Sequence, residues 1–83
     1  MKPEQLIVYE ADPNDERRFT PAAQLDMLPR MRVSDIIFLI RGIASDGDYC
    51  RYERQLFRLS RGYLHAVPAS EEKKLIFAEV SES

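Results

Sequence analysis

The sequence is poor in the residues that most often carry chemistry, with one cysteine and one histidine in 83 residues. A zinc site needs three or four histidine, cysteine or carboxylate ligands at workable spacing, so we expect no metal site and no cofactor. A single cysteine cannot form the internal disulfides that supplement the small cores of secreted mini-proteins. The single cysteine therefore predicts a protein of a reducing compartment, the cytoplasm.

Glycine is also scarce, and long apolar runs are absent. Gly42, Gly47 and Gly62 do not form the cluster that cradles a phosphate, so nucleotide binding has no signature. The longest apolar run, residues 36–40, is far below the roughly 18 residues that indicate a membrane span. The N-terminus lacks the basic start and cleavage pattern of an export signal. We expect no membrane association and no export.

Cys50 and His65 are the one pair that suggests covalent catalysis, since a nucleophile and its base need only meet in space. A cysteine is more often a small apolar core residue, and a lone histidine is more often structural or solvated. The carboxylates fall mostly in predicted loops, caps and termini, where they supply solubilising charge. We therefore expect a protein that is not an enzyme.

The chain does have a basic middle between two acidic ends. Residues 30–61 hold seven arginines against four carboxylates. Residues 1–29 hold three basic and six acidic side chains, and residues 62–83 hold two lysines and four glutamates. The planar, weakly hydrated guanidinium of arginine suits interfaces better than the ammonium of lysine. The middle segment therefore indicates recognition.

The expected fold is a single α+β domain over residues 1–83, with mobile ends and a polar loop near residues 12–19. Hydrophobic residues make up 45% and charged residues 31% of the chain, which is a globular balance. The predicted order is β-α-α-α-β-β, in which about three helices cover a small antiparallel sheet. The predicted strands are residues 6–9, 63–67 and 74–80, and the last two form a hairpin.

The first predicted helix runs from Pro21 to Leu28, because Thr20-Pro21 resembles a helix start and Pro29 discourages continuation. The second, over residues 35–44, is capped by Ser34. A buried strand is the alternative for this second segment, because periodicity cannot separate the two for a short apolar run.

If residues 35–44 are helical, apolar side chains point nearly all round the helix, and a chain of this size can hardly enclose them. We therefore expect a homodimer. The expected self-association residues are Ile36, Ile37, Phe38, Ile40 and Ile43.

The third predicted helix lies between residues 46 and 62 and has two stripes. The apolar stripe recurs at intervals of three and four residues and comprises Tyr49, Tyr52, Leu56, Leu59 and Tyr63. Arginines form a second stripe on the opposite side, and Phe57 lies off the apolar stripe, as an interface anchor would. The expected partner-binding residues are Arg51, Arg54, Phe57, Arg58 and Arg61. A solvated charged face, with Phe57 in the core, is the alternative.

These observations predict a small non-catalytic protein-binding module, an adaptor or inhibitor that occupies an acidic and apolar surface of a larger protein through the arginine-rich helix face. A nucleic-acid-binding regulator that uses the same arginines is the alternative. The sequence pI of about 5.3 argues against it, because nucleic-acid affinity comes from neutralising many phosphates.

Overall fold

A computed structural model describes residues 4–27 and 31–78, which fold around a six-stranded sheet. The strands are β1 (Glu4–Asp12), β2 (Asp15–Met27), β3 (Tyr49–Tyr52), β4 (Gln55–Ser60), β5 (Tyr63–Ala66) and β6 (Ile76–Phe77). The helices are α1 (Val33–Ile40) and α2 (Ala69–Glu72). The expected α+β fold with three helices is wrong, because 52% of the described residues are in strands and 17% are in helices. Mobility was expected of the two ends of the chain, and residues 1–3 and 79–83 lie outside the described residues.

The sheet order is β5-β4-β3-β1-β2-β6, and every neighbouring pair is antiparallel except β2 and β6, which run parallel. The strand expected at residues 6–9 is confirmed as part of β1, and the strand expected at residues 63–67 is confirmed as β5. The expected strand at residues 74–80 reduces to β6, and residues 79 and 80 lie outside the described part. The predicted C-terminal hairpin is wrong, because β5 and β6 occupy opposite edges of the sheet.

A long hairpin of β1 and β2 replaces both the expected loop near residues 12–19 and the first expected helix. Its turn is short because Asp12 accepts a hydrogen bond from the Asn14 amide at 2.8 Å. The register shifts so that Val8 pairs with Ala23 while Tyr9 pairs with Pro21, which leaves an extra residue in β2. Such a bulge tolerates the missing N–H of proline. Pro21 therefore sits inside a strand instead of starting a helix.

Helix α1 confirms the helix expected over residues 35–44, although it begins at Val33 and ends at Ile40. The residue before the helix is Arg32, and not the expected cap Ser34. Asp35 accepts a hydrogen bond from the Arg32 backbone amide at 3.0 Å, which closes the first turn. The acidic side chain also suits the positive end of the helix dipole.

The third expected helix is wrong, because residues 49–66 form three strands joined by two-residue turns. Glu53 has a φ of 57°, and Arg61 and Gly62 have φ of 55° and 78°. The common hairpin turns need positive φ at both central residues, as at Arg61 and Gly62, or at the first alone, as at Glu53. Such residues interrupt any helix. Gly62 does take the left-handed conformation expected of it, but within a turn between strands.

One face of the sheet, which we call the helix face, is covered by α1. The side chains of Leu6, Val8, Cys50 and Tyr52 pack there against the helix, and all four are at most 7% exposed. Ile36 and Ile40, one turn apart on α1, are each 1% exposed. These residues form the main core of the protein.

The opposite face, which we call the aromatic face, is covered by the segment from Val67 to Phe77. Four rings meet there, those of Tyr9, Phe19, Tyr49 and Phe77. Their closest ring centroids lie 4.7 Å apart, between Phe19 and Tyr49. Phe19 and Phe77 are also paired residues of β2 and β6, so this ring packing holds the C-terminal segment against the far edge of the sheet. That is why β6 pairs with β2 and not with β5.

The turn between β4 and β5 provides a test of the fold, because one substitution there should stabilise a turn between strands and destabilise a helix. Arg61→Asn should raise the free energy of unfolding by roughly 0.5 kcal/mol, because asparagine tolerates positive φ better than arginine and Asn-Gly favours this turn. In a helix, the same change would be destabilising. Chemical denaturation measures the difference. The matched control Arg58→Asn, inside β4, should not stabilise, since asparagine is disfavoured in strands.

Candidate functional site

The structure separates the five expected partner-binding residues. Arg54 lies in the turn before β4 and Arg61 in the turn after it, at opposite ends of that strand. Arg51 projects from β3 onto the aromatic face and donates to Glu72 of α2 at 2.5 Å. Its guanidinium carbon lies 5.7 Å from the centre of the Phe77 ring. Arg51 therefore ties α2 to the sheet.

Phe57 and Arg58 are consecutive in β4 and consequently point to opposite faces of the sheet. Phe57 is half-buried and packs against the core of the helix face. Arg58 is exposed beside the aromatic face. The five residues form no common surface, and the position of Phe57 matches the core alternative.

The main exposed apolar surface in the described part of the chain lies on and just after α1. Four apolar side chains form it, and we call it the α1 patch: Val33, Phe38, Leu39 and Ile43. Phe38 is 70% exposed. It lies two residues from both Ile36 and Ile40, about 200° round the helix from each, so it points directly away from the core.

The structure divides the expected self-association residues into two groups. Ile36 and Ile40 are core residues, and Ile37 is half-buried. Phe38 and Ile43 are exposed, and Val33 and Leu39 join them although neither is among the five expected. The signal for Leu39 was the unbroken apolar run of residues 36–40, since an eight-residue helix can turn only one side towards a sheet, whereas Val33 lies outside that run.

Two charged side chains flank Phe38 on the outer side of α1. The guanidinium carbon of Arg41 lies 5.9 Å from the centre of the Phe38 ring, within the range of a cation–π contact. Asp35 lies one turn before Phe38, as Arg41 lies one turn after it, and both residues are exposed. The outer side of the helix thus combines an apolar centre with one charge of each sign.

A shallow polar groove on the aromatic face is a second candidate. Its volume is about 240 Å³, and its walls come from β3, β4, β5 and α2. The polar residues that line it are Tyr49, Arg58, Ser60, His65 and Glu71. Pockets for small molecules are usually larger, on the order of 300–1,000 Å³, and mostly apolar. The groove is therefore a weaker candidate than the α1 patch.

Cys50 and His65 lie on opposite faces of the sheet, so they cannot form a nucleophile and base pair. Cys50 projects into the core on the helix face, whereas His65 pairs across from Arg58 and lines the groove. Burial raises the pKa of the Cys50 thiol from 9.0 to about 12. The thiol is therefore protonated and unreactive at neutral pH.

Within residues 4–27 and 31–78, no three histidine, cysteine or carboxylate residues are grouped as metal ligands would be. No helix in those ranges is long and apolar enough to cross a membrane. Comparison of the chain with protein-family models, with curated proteins and with solved structures finds no match.

The burial of Cys50 predicts a distinct loss of stability at high pH. The unfolded thiol ionises above pH 9.0 while the folded one holds its proton to about pH 12, so unfolding releases a proton between these values. The free energy of unfolding should fall by up to about 1.4 kcal/mol per pH unit in that window. Chemical denaturation of the wild type and of Cys50→Ala between these pH values measures the free energy of unfolding of each protein. The contribution of Cys50 to the decrease with pH should be present in the wild type and absent from the variant. An equal slope in both proteins would contradict the assignment.

Proposed function

We propose that this chain is a non-catalytic protein-binding module that acts by occupying an apolar surface of a partner through the α1 patch. The observation that supports the proposal is the exposure of Phe38, at 70%, on the outer side of a helix that also exposes Val33 and Leu39. A free cysteine fits a reducing compartment, so we place this activity in the cytoplasm.

The α1 patch has the composition of an interface centre. Aromatic and arginine side chains are enriched among the residues that dominate binding energy, and Phe38 and Arg41 are of these two types. Arg41 already lies over the Phe38 ring, so a partner that covers the ring also approaches the guanidinium. We infer a partner surface with an apolar depression for Phe38 and a carboxylate for Arg41.

The arginines of β3, of β4 and of the turns beside β4 do not support an interface of their own. Arg51 is engaged with Glu72, and Arg54 and Arg61 lie at opposite ends of β4. The continuous arginine stripe that favoured a nucleic-acid partner requires a helix that the fold replaces with strands. The α1 patch is therefore the surface on which the proposal rests.

Replacing Phe38 with a charged residue tests the proposal. The wild type and Phe38→Asp are each chemically cross-linked to the proteins in a lysate of the source organism. Phe38→Asp should capture much less protein, because a carboxylate cannot enter an apolar depression without a large desolvation cost. The matched control is Tyr63→Asp, since Tyr63 is similarly exposed, at 68%, on β5. Quantitative mass spectrometry of the cross-linked products measures the difference.

Thermal unfolding of both variants checks that the fold is intact. Phe38 and Tyr63 make little contact with the core, so both variants should melt close to the wild type. Equal capture by the wild type and Phe38→Asp, with both folded, would show that binding does not use the α1 patch.

A further inference from the structure

A row of polar side chains crosses three strands on the aromatic face. Arg58 of β4 lies directly opposite Tyr49 of β3 on one side and opposite His65 of β5 on the other. Residues that are opposite each other in an antiparallel pair have Cβ atoms about 5 Å apart on the same face. Ser60 is on this face too, because it follows Arg58 by two residues. All four residues line the polar groove of about 240 Å³.

The groove lies beside α2, where the C-terminal segment covers only part of the aromatic face. The chain leaves β5 near the beginning of β4, where the Val67 amide donates to the Leu56 carbonyl oxygen at 2.8 Å. Glu72 of α2 then pairs with Arg51, the residue opposite Leu56. Helix α2 consequently covers the first half of β4 and forms one wall of the groove. The second half of β4 stays open.

The four side chains of the groove supply hydrogen-bond donors that have no acceptor within the described structure. A guanidinium donates through several N–H groups, an imidazole through one or two, and a hydroxyl through one. Among residues 4–27 and 31–78, the side chains of Tyr49, Arg58, Ser60 and His65 donate to no other residue. Arg58 also forms no ion pair within those ranges. The groove therefore favours a ligand that is rich in acceptors and negatively charged.

Tyr49 is already held in position before any ligand binds. Its ring centroid lies 4.7 Å from that of Phe19 and 6.0 Å from that of Phe77. A donor that is fixed by packing loses little conformational freedom when a ligand binds, so less of the binding free energy is spent on ordering it.

We propose that this groove binds a phosphoryl group, as free phosphate or as a small phosphate monoester, with Arg58 as the central cation. A phosphoryl group presents three strongly accepting oxygens and a charge near −2, whereas a carboxylate presents two oxygens and a charge of −1. Donors from four side chains suit the first better. The groove is smaller than the roughly 300–1,000 Å³ of most ligand pockets, so it suits one charged group. The site goes beyond the proposed function, because the α1 patch lies on the other side of the sheet.

The affinity should be modest. Glu71 lies on the α2 wall of the groove, and its carboxylate opposes the positive charge of Arg58. The groove is also shallow, so solvent screens the charges within it. We expect a dissociation constant for phosphate on the order of 1 mM.

Titration with phosphate, followed by NMR of isotope-labelled protein, tests the site. Sodium phosphate, methyl phosphate or sodium acetate replaces sodium chloride at constant ionic strength and at pH 7. The amide signals of Arg58 and His65 should shift with both phosphates, whereas that of Phe38 on α1 should not. Acetate should bind at least about tenfold more weakly, because it has a smaller charge and fewer acceptors.

Arg58→Gln and Arg54→Gln form a matched pair, since each removes one exposed arginine and one positive charge. Arg54 lies in the turn before β4 and does not line the groove. Arg58→Gln should weaken phosphate binding at least about tenfold, because hydrogen bonds between charged groups are the stronger ones. Arg54→Gln should change it by less than about twofold, because solvent and salt screen a distant exposed charge. Thermal unfolding verifies that both variants fold.

Glu71→Gln should act in the opposite direction and strengthen phosphate binding roughly twofold to fivefold, because it removes a negative charge from the wall. Weaker binding by this variant would overturn the proposal, since it would mean that the ligand donates to the carboxylate.

Binding of methyl phosphate supports the proposal and identifies a monoester as the ligand class, whereas binding of free phosphate alone supports it with the ion as ligand. No binding of either phosphate at about 50 mM, far above the expected dissociation constant, overturns it. Equal weakening by Arg54→Gln and Arg58→Gln also overturns it, because binding would then follow net charge. Equal affinity for acetate overturns the choice of a phosphoryl group.

Discussion

The structure depends on a central strand that is buried from both sides. β1 contributes Leu6 and Val8 to the helix face and Tyr9 to the aromatic face, and all three are at most 5% exposed. A sheet with such a strand at its centre needs a covering layer on each face. Within residues 4–27 and 31–78, α1 and the segment from Val67 to Phe77 provide these two layers.

This constraint explains both crossovers. Because β2 and β3 lie on either side of β1, the chain between them must pass across the sheet, and α1 covers the helix face on the way. The chain from β5 to β6 crosses the other face, where Arg51 holds α2 through Glu72 and the ring of Phe77 joins three others. Each face has one layer of cover and no second layer outside it in the described part of the chain.

The single layer over the helix face is what creates the candidate interface. A helix that packs on a sheet turns one side inward, which here carries Ile36 and Ile40, and leaves the other side in solvent. Because α1 is apolar nearly all round, its outer side exposes Phe38 between the charged residues Asp35 and Arg41. The outer side of α1 is therefore the surface on which the proposed function rests.

Local signals in the sequence were sufficient for the secondary structure of some segments. The strands near Leu6 and Tyr63 and the helix that contains Ile36 could be read from short apolar runs and capping residues, because these signals act over a few neighbouring residues. The all-round apolar character of residues 36–43 also indicated, from the amino-acid pattern alone, the segment that carries the exposed patch. The left-handed tendency of Gly62 was readable as well.

The secondary structure of residues 49–63 was decided by the tertiary structure. The spacing of Tyr52, Leu56 and Leu59 is that of one side of a helix, although these residues lie in strands. A strand covered on one face alternates buried and exposed positions, but this sheet is covered on both, so Leu56 is buried on one face and Leu59 on the other. The chain reverses direction at Glu53 and at Gly62, so the helix-like spacing comes from residues of three different strands. The scattering of the arginines and the separation of Cys50 from His65 follow from those reversals, because the direction of a side chain in a sheet depends on long-range pairing that local spacing does not encode.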